Sequence, residues 1–105
     1  MMTSRILSIQ EMLEKEPGDS FLRYALALEY SKEDISKAIE LLEELLAKDP
    51  NYLGAYYQLG KYYEQNGNTS KAADCYTKGI TIAKAQNNRK TLGELNEALL
   101  MLDED

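Results

Sequence analysis

Tyr56-Tyr57-Gln58-Leu59-Gly60-Lys61-Tyr62-Tyr63, then Asn66-Gly67-Asn68, then Ala72-Ala73-Asp74-Cys75-Tyr76-Thr77-Lys78-Gly79 are three successive pieces of one stretch, residues 50–84. In the first piece Tyr56, Leu59 and Tyr63 stand three and four apart, the spacing of one helical face. Gly60 interrupts that face with the smallest side chain available. The middle piece is a turn, because glycine and asparagine tolerate the left-handed backbone that ends a helix. The third piece rebuilds an apolar helical face on Tyr76, with Ala72 and Gly79 as its small members. Glycine inside a helix costs about 1 kcal/mol relative to alanine. Two glycines at matched places on facing helices therefore imply close backbone approach.

The same design recurs upstream. Leu26-Ala27-x-x-Tyr30 matches Leu59-Gly60-x-x-Tyr63 at an offset of 33, and Pro17 and Pro50 are also 33 apart. Read in order, residues 3–15 form an amphipathic helix on Ile6, Ile9, Met12 and Leu13. Thr3 or Ser4 caps it, and Pro17-Gly18 stops it. Asp19 or Ser20 opens a second helix reaching about Ser31. Here Arg23 stands where the later unit has Tyr56, with Phe21 or Leu22 to fill the space. Asp34 caps a third helix over 35–48, whose broad apolar face is Ala38, Leu41, Leu42, Leu45 and Leu46. One residue is missing from the turn at Lys32-Glu33-Asp34. Asn51 is expected to cap the fourth helix. The fifth starts near Thr69 or Ser70 and runs to about Gln86. A last helix, 88–102, carries Leu92, Leu95, Leu99 and Leu102, without the small-residue spacing of the others. Ala27, Ala38, Gly60, Ala72 and Gly79 are the expected helix-contact positions, with Ala83 an uncrowded comparison.

These spacings resemble the tetratricopeptide repeat, a helix-turn-helix unit of about 34 residues. The resemblance implies an all-α fold: a short right-handed α-α superhelix, or solenoid, of antiparallel helix pairs, six helices in all. It divides one domain, 1–105, into a half repeat (3–16), repeat 1 (19–50), repeat 2 (51–86), a capping helix (88–102) and an acidic tail (103–105). In the family, the first helix of each repeat lines a concave groove that binds peptides. The resemblance places Phe21, Tyr24, Ala25, Leu28 and Lys32 on that face from repeat 1. It adds Tyr57, Gln58, Lys61, Glu64 and Gln65 from repeat 2. Helix geometry agrees, since Tyr24/Leu28/Lys32 and Tyr57/Lys61/Gln65 are both i, i+4, i+8 rows. The alternative for Tyr24 and Tyr57 is packing on neighbouring helices or lying under the last one. Some family members clamp the C-terminal carboxylate of chaperones with Lys, Asn and Arg. Here Tyr24, Leu28, Tyr57 and Gln58 stand near those places, so that specificity is not expected.

Composition narrows the function classes. The 105-residue chain has 18 acidic against 12 basic residues, a net charge of −6. Nucleic acid and anionic membrane both want a basic face, so neither is expected as a partner. No run approaches the ~20 apolar residues of a membrane span. With one cysteine, Cys75, no intrachain disulfide forms, and a reducing, cytoplasmic setting is the simpler expectation. Histidine is absent, which removes the commonest general base and metal ligand. Cys75 reads as a small buried hydrophobe. The glutamates at 11, 14 and 16 and at 40, 43 and 44 read as solvated helix faces. No catalytic residue, cofactor site or metal site is expected. The expected function is a non-enzymatic module that binds a partner peptide or helix in a mixed, aromatic, weakly basic groove. The competing expectation is a homodimer burying the same tyrosine-rich or apolar face.

Overall fold

A computed structural model describes residues 3–103. The acidic tail expected at 103–105 falls outside them, apart from the backbone of Asp103. Six α-helices make up the described chain: α1 (Ser4–Lys15), α2 (Ser20–Tyr30), α3 (Ile35–Lys48), α4 (Leu53–Gln65), α5 (Thr69–Ala85) and α6 (Arg89–Asp103). No strand occurs among the described residues. The chain divides between Pro50 and Asn51 into two compact units, one holding α1–α3 and the other α4–α6.

In the first unit α2 packs between α1 and α3. Ile6, Ile9 and Leu26 form its buried cluster, with Leu13, Leu22, Ala25, Tyr30 and Leu41 packed around it. Met12, expected on this stripe, is 48% exposed and stays outside the buried cluster, lining a surface hollow on α1 with Ser8 and Ile9. Leu22 is the side chain that fills the space beside Arg23, while Phe21 stays exposed. Arg23 itself donates to the Pro17 carbonyl at 2.7 Å, closing the turn between α1 and α2. Ser20 Oγ donates to Asp49 Oδ2 at 2.7 Å and ties the start of α2 to the end of α3.

In the second unit α5 packs between α4 and α6. Tyr76 is fully buried, and its ring lies directly over Gly60. A Cβ on Gly60 would come within 2.2 Å of Tyr76 Cε1. Farther along α5, a Cβ on Gly79 would meet Tyr56 Cβ of α4 at 2.9 Å and Leu95 Cδ1 of α6 at 3.0 Å. The two glycines thus let α4 and α6 close on α5. Ala27, Ala38 and Ala72 are also fully buried. So is Ala83, which therefore is not an uncrowded comparison.

Local chemistry sets the helix ends. Thr3, Asp19, Asp34, Asn68 and Asn88 each accept from the backbone N–H three residues on, at 3.0–3.1 Å. The α4 start is different: its N-cap is Tyr52, with no side-chain bond. Asn51, the expected cap, lies one residue too early. Its carbonyl accepts instead from Gln86 Nε2 at 2.7 Å. Gly67 ends α4 with φ +81, and Asn68 N–H then reaches the Tyr63 carbonyl at 2.8 Å. Asn87 repeats this at the end of α5, with φ 57 and Asn88 N–H on the Ala83 carbonyl at 2.9 Å. The α2–α3 turn has no such residue. There α2 stops at Tyr30, whereas α4 continues two residues past the matched Tyr63.

Candidate functional site

The sequence-predicted groove residues fall in two groups, one per unit. In the first unit Tyr24, Ala25 and Leu28 are half-buried on α2, and Phe21 is 63% exposed. Ala25 packs into the Ile6/Ile9/Leu26 cluster and so belongs to the core edge. Lys32 lies just past α2, with Nζ 3.2 Å from Glu29 Oε1. Arg5 Nε reaches the other oxygen of Glu29 at 3.1 Å. The Lys32 ammonium, then Arg5, hold the Glu29 carboxyl below its ordinary value, against an opposing effect of burial. The charge of Lys32 is thus matched within its own unit.

In the second unit Tyr57, Gln58, Lys61 and Glu64 are half-buried on α4, and Gln65 is exposed. Tyr57 leans on the buried Tyr76, with ring centroids 6.3 Å apart. Lys61 Nζ sits 5.4 Å from the Tyr57 ring centroid and 3.8 Å from Glu64 Oε2. That same carboxylate oxygen accepts a hydrogen bond from the Tyr76 hydroxyl. Burial, followed by this bond to Glu64, pushes the Tyr76 phenol well above its ordinary value of 10.0. The core tyrosine therefore holds Glu64, and Glu64 in turn holds Lys61 beside Tyr57.

A cavity of about 380 Å³ opens next to this group, lined by Tyr57 and Lys61 of α4 and by Lys90, Gly93, Glu94, Glu97, Ala98 and Met101 of α6. Sequence reasoning assigned α6 to capping and missed its share of the lining. The missed signal is a changed offset. Leu95, fully buried, and Ala98, 4% exposed, stand 36 residues after the buried Leu59 and Tyr62. On that offset the row Gly93/Glu97/Met101 repeats Tyr57/Lys61/Gln65. The offset grows from 33 to 36 because α4 and α5 have 13 and 17 residues where α2 and α3 have 11 and 14, less what two shorter turns take back. The cavity carries two lysines and two glutamates. It is charge-balanced, not weakly basic as expected.

Comparison with known proteins agrees with this geometry. The family profile described as tetratricopeptide repeat matches residues 29–88, more than half of the chain. The chain belongs to the tetratricopeptide repeat family. A tetratricopeptide repeat domain protein from Salinibacter ruber is 46% identical, with a TM-score of 0.80 over 84% of this chain and 90% of that one. A protein from Bordetella parapertussis is 25% identical, with a TM-score of 0.84 over 98% of this chain and 90% of that one. Tetratricopeptide repeat protein 37 of Xenopus laevis is 33% identical over 91% of this chain. The mitochondrial import receptor subunit TOM70 of Rattus norvegicus is 29% identical over 82%. The chain spans only 7% and 14% of these two curated relatives. The fold is thus the all-α tetratricopeptide repeat fold of antiparallel helix pairs. Within it, α4 and α5 form one helix pair, and α6 packs on α5.

Among the described residues no group of three or more His, Cys, Asp or Glu is placed to hold a metal ion. Cys75 is buried and free of any disulfide. No helix of the described chain is long and apolar enough to cross a membrane.

Proposed function

We propose that this tetratricopeptide repeat chain is a protein-protein interaction module without chemistry of its own. It receives a partner peptide or helix on the face built by first helices. The observation that carries this reading is the α4–α6 cavity. It is large enough for an anchoring side chain, and its lining combines the small Gly93 and Ala98, the broad Tyr57 and Met101, and charges of both signs. Tyrosine and methionine suit such a role, because each offers broad apolar contact that adapts to its ligand. An apolar anchor flanked by charged residues is the matching ligand chemistry. The relatives support the class: TOM70 is by its name an import receptor subunit. Partner identity, a scaffold or adaptor role and a cytoplasmic location extend this reading.

Self-association through the tyrosines is the second reading, and the tyrosines disfavour it. Tyr56, Tyr62, Tyr63 and Tyr76 are buried within the chain.

The test is capture from native cell extract, followed by affinity measurement with peptides from whatever is retained. Gly93→Leu fills the cavity from a position with nothing within 4 Å of a new Cβ, so folding is preserved. Loss of the captured partner with Gly93→Leu and with Lys61→Glu is expected. Equal recovery by wild type and both variants would remove the cavity from the binding site.

A further inference from the structure

The charges of the α4–α6 cavity balance only when its lining is counted alone. Lys61 is already matched from behind the lining. Its Nζ lies 3.8 Å from Glu64 Oε2 and 5.4 Å from the Tyr57 ring centroid, and Lys61 and Glu64 are both half-buried. Glu64 is fixed in turn by the hydroxyl of Tyr76, a fully buried side chain. A partly buried ion pair is screened less than a surface one. An incoming anion would therefore have to draw Lys61 away from both Glu64 and the Tyr57 ring.

The other charged side chains of the lining all come from α6: Lys90, Glu94 and Glu97. None of the three makes an ion pair or hydrogen bond with another described residue. Lys90 offsets one carboxylate at most, and it is poorly placed to do so. Lysine ahead of glutamate at i, i+4 is the weaker order. Lys90 also lies in the first turn of α6, where the helix dipole disfavours a cation. Glu94 and Glu97 stand at i, i+3, a spacing that puts Cβ atoms about 5–6 Å apart and makes like charges repel. With Lys61 matched by Glu64, the cavity keeps an unmatched negative charge, carried by α6.

We propose that the cavity selects a peptide segment with an arginine beside its apolar anchor. This rests on the peptide-binding reading above and adds the charge of the ligand to it. A cation near Glu94 and Glu97 relieves their repulsion. A guanidinium suits this better than an ammonium, because its fixed fork of N–H donors engages carboxylate oxygens in pairs. The anchor takes the apolar part of the lining, Tyr57, Ala98 and Met101. Tyr76 and Glu64 line none of this cavity, yet they set its specificity by keeping Lys61 from acting as a free cation. Lys61→Glu does not report the sign of the ligand, since it places two like charges at i, i+3 beside Tyr57 and disturbs the lining itself.

The experiment pans short random peptides displayed on phage against the full chain and keeps those that Gly93→Leu no longer retains. Arginine should be enriched among them over aspartate and glutamate, relative to the starting library. One such binder is then synthesised with its arginine and with glutamine in that place. Both forms are titrated against wild type, against Glu94→Gln/Glu97→Gln, and against Glu11→Gln/Glu14→Gln, which removes the same charge from α1. The arginine form should bind wild type and the α1 variant about threefold tighter or more, the scale of one exposed ion pair. It should lose that advantage on the α6 variant, and Glu64→Gln, which releases Lys61, should reduce it. Binders without an arginine excess, or an advantage that falls as far with the α1 variant as with the α6 variant, would overturn the proposal and leave the cavity a peptide site. An advantage indifferent to Glu64→Gln would overturn the part given to Tyr76 and Glu64. A library yielding no binder sensitive to Gly93→Leu would overturn the peptide-binding reading, and this proposal with it.

Discussion

At the residue scale, three helix-interior glycines separate packing from propensity. All three pay the same intrinsic helix cost relative to alanine, about 1 kcal/mol. Gly60 and Gly79 recover it by admitting Tyr76, Tyr56 and Leu95, whereas Gly93 has nothing within 4 Å of a new Cβ. Gly93→Ala is therefore expected to stabilise by up to about 1 kcal/mol, and Gly60→Ala to destabilise by about 1–3 kcal/mol through overpacking. Urea unfolding of the two variants checks the opposite signs. Asn87 holds a left-handed backbone at φ 57 where the matching turn has Gly67. Asn87→Gly should leave stability unchanged or raise it slightly, while Asn87→Val should lower it by about 1–2 kcal/mol. Glu29 supplies a pH dependence. Its folded-state carboxyl titrates below the ordinary value of 4.5, chiefly because of Lys32. The stability it contributes is present above that value and is lost as pH falls through the lowered one. Thermal melts from pH 7 to pH 3 should accordingly converge for wild type and Glu29→Gln at the acid end.

At the scale of elements, α5 and α6 show how helix length sets which face a later helix presents. The longer α4 and α5 move α6 to an offset of 36, placing Leu95 and Ala98 against the second unit and the Gly93/Glu97/Met101 row on the cavity. Shortening α5 by one residue would turn that row by about 100°. In the first unit, the lost turn residue is absorbed by ending α2 at Tyr30, with no left-handed residue needed. α6 also protects the unit it packs on. A chain ending at residue 86 loses Leu95 from the side of Gly79. Removing one fully buried leucine contact costs about 1.5–3 kcal/mol. Truncation should lower the melting temperature by about 4–8 °C for each kcal/mol lost. Truncations that melt with the full chain would show that α6 contributes no packing.

At the scale of the whole molecule, the proposed partner-binding cavity lies within the second unit, on α4 and α6. Gly93→Leu should abolish partner capture while leaving the urea unfolding midpoint close to that of wild type, because a new side chain there meets no neighbour within 4 Å of its Cβ. A variant that lost both would mean that the position serves folding and not binding.

What the sequence determined by itself is the part written in local chemistry and short spacings. Asp34, Asn68 and Gly67 mark helix ends because capping and left-handed turns need only neighbouring atoms. The Leu-small-x-x-Tyr repeat marks the helix pairs, because contacts three and four apart lie on one helical face. The tertiary structure alone decided what depends on helix length and on distant partners. Met12 and Ala83 were misjudged because burial is set by what packs alongside. Lys32 was counted toward a basic groove because Glu29 and Arg5 meet only when α1 lies on α2. The lining supplied by α6 stayed hidden because three residues of added offset rotate a helix by most of a turn, and only packing against Gly79 reveals which face results.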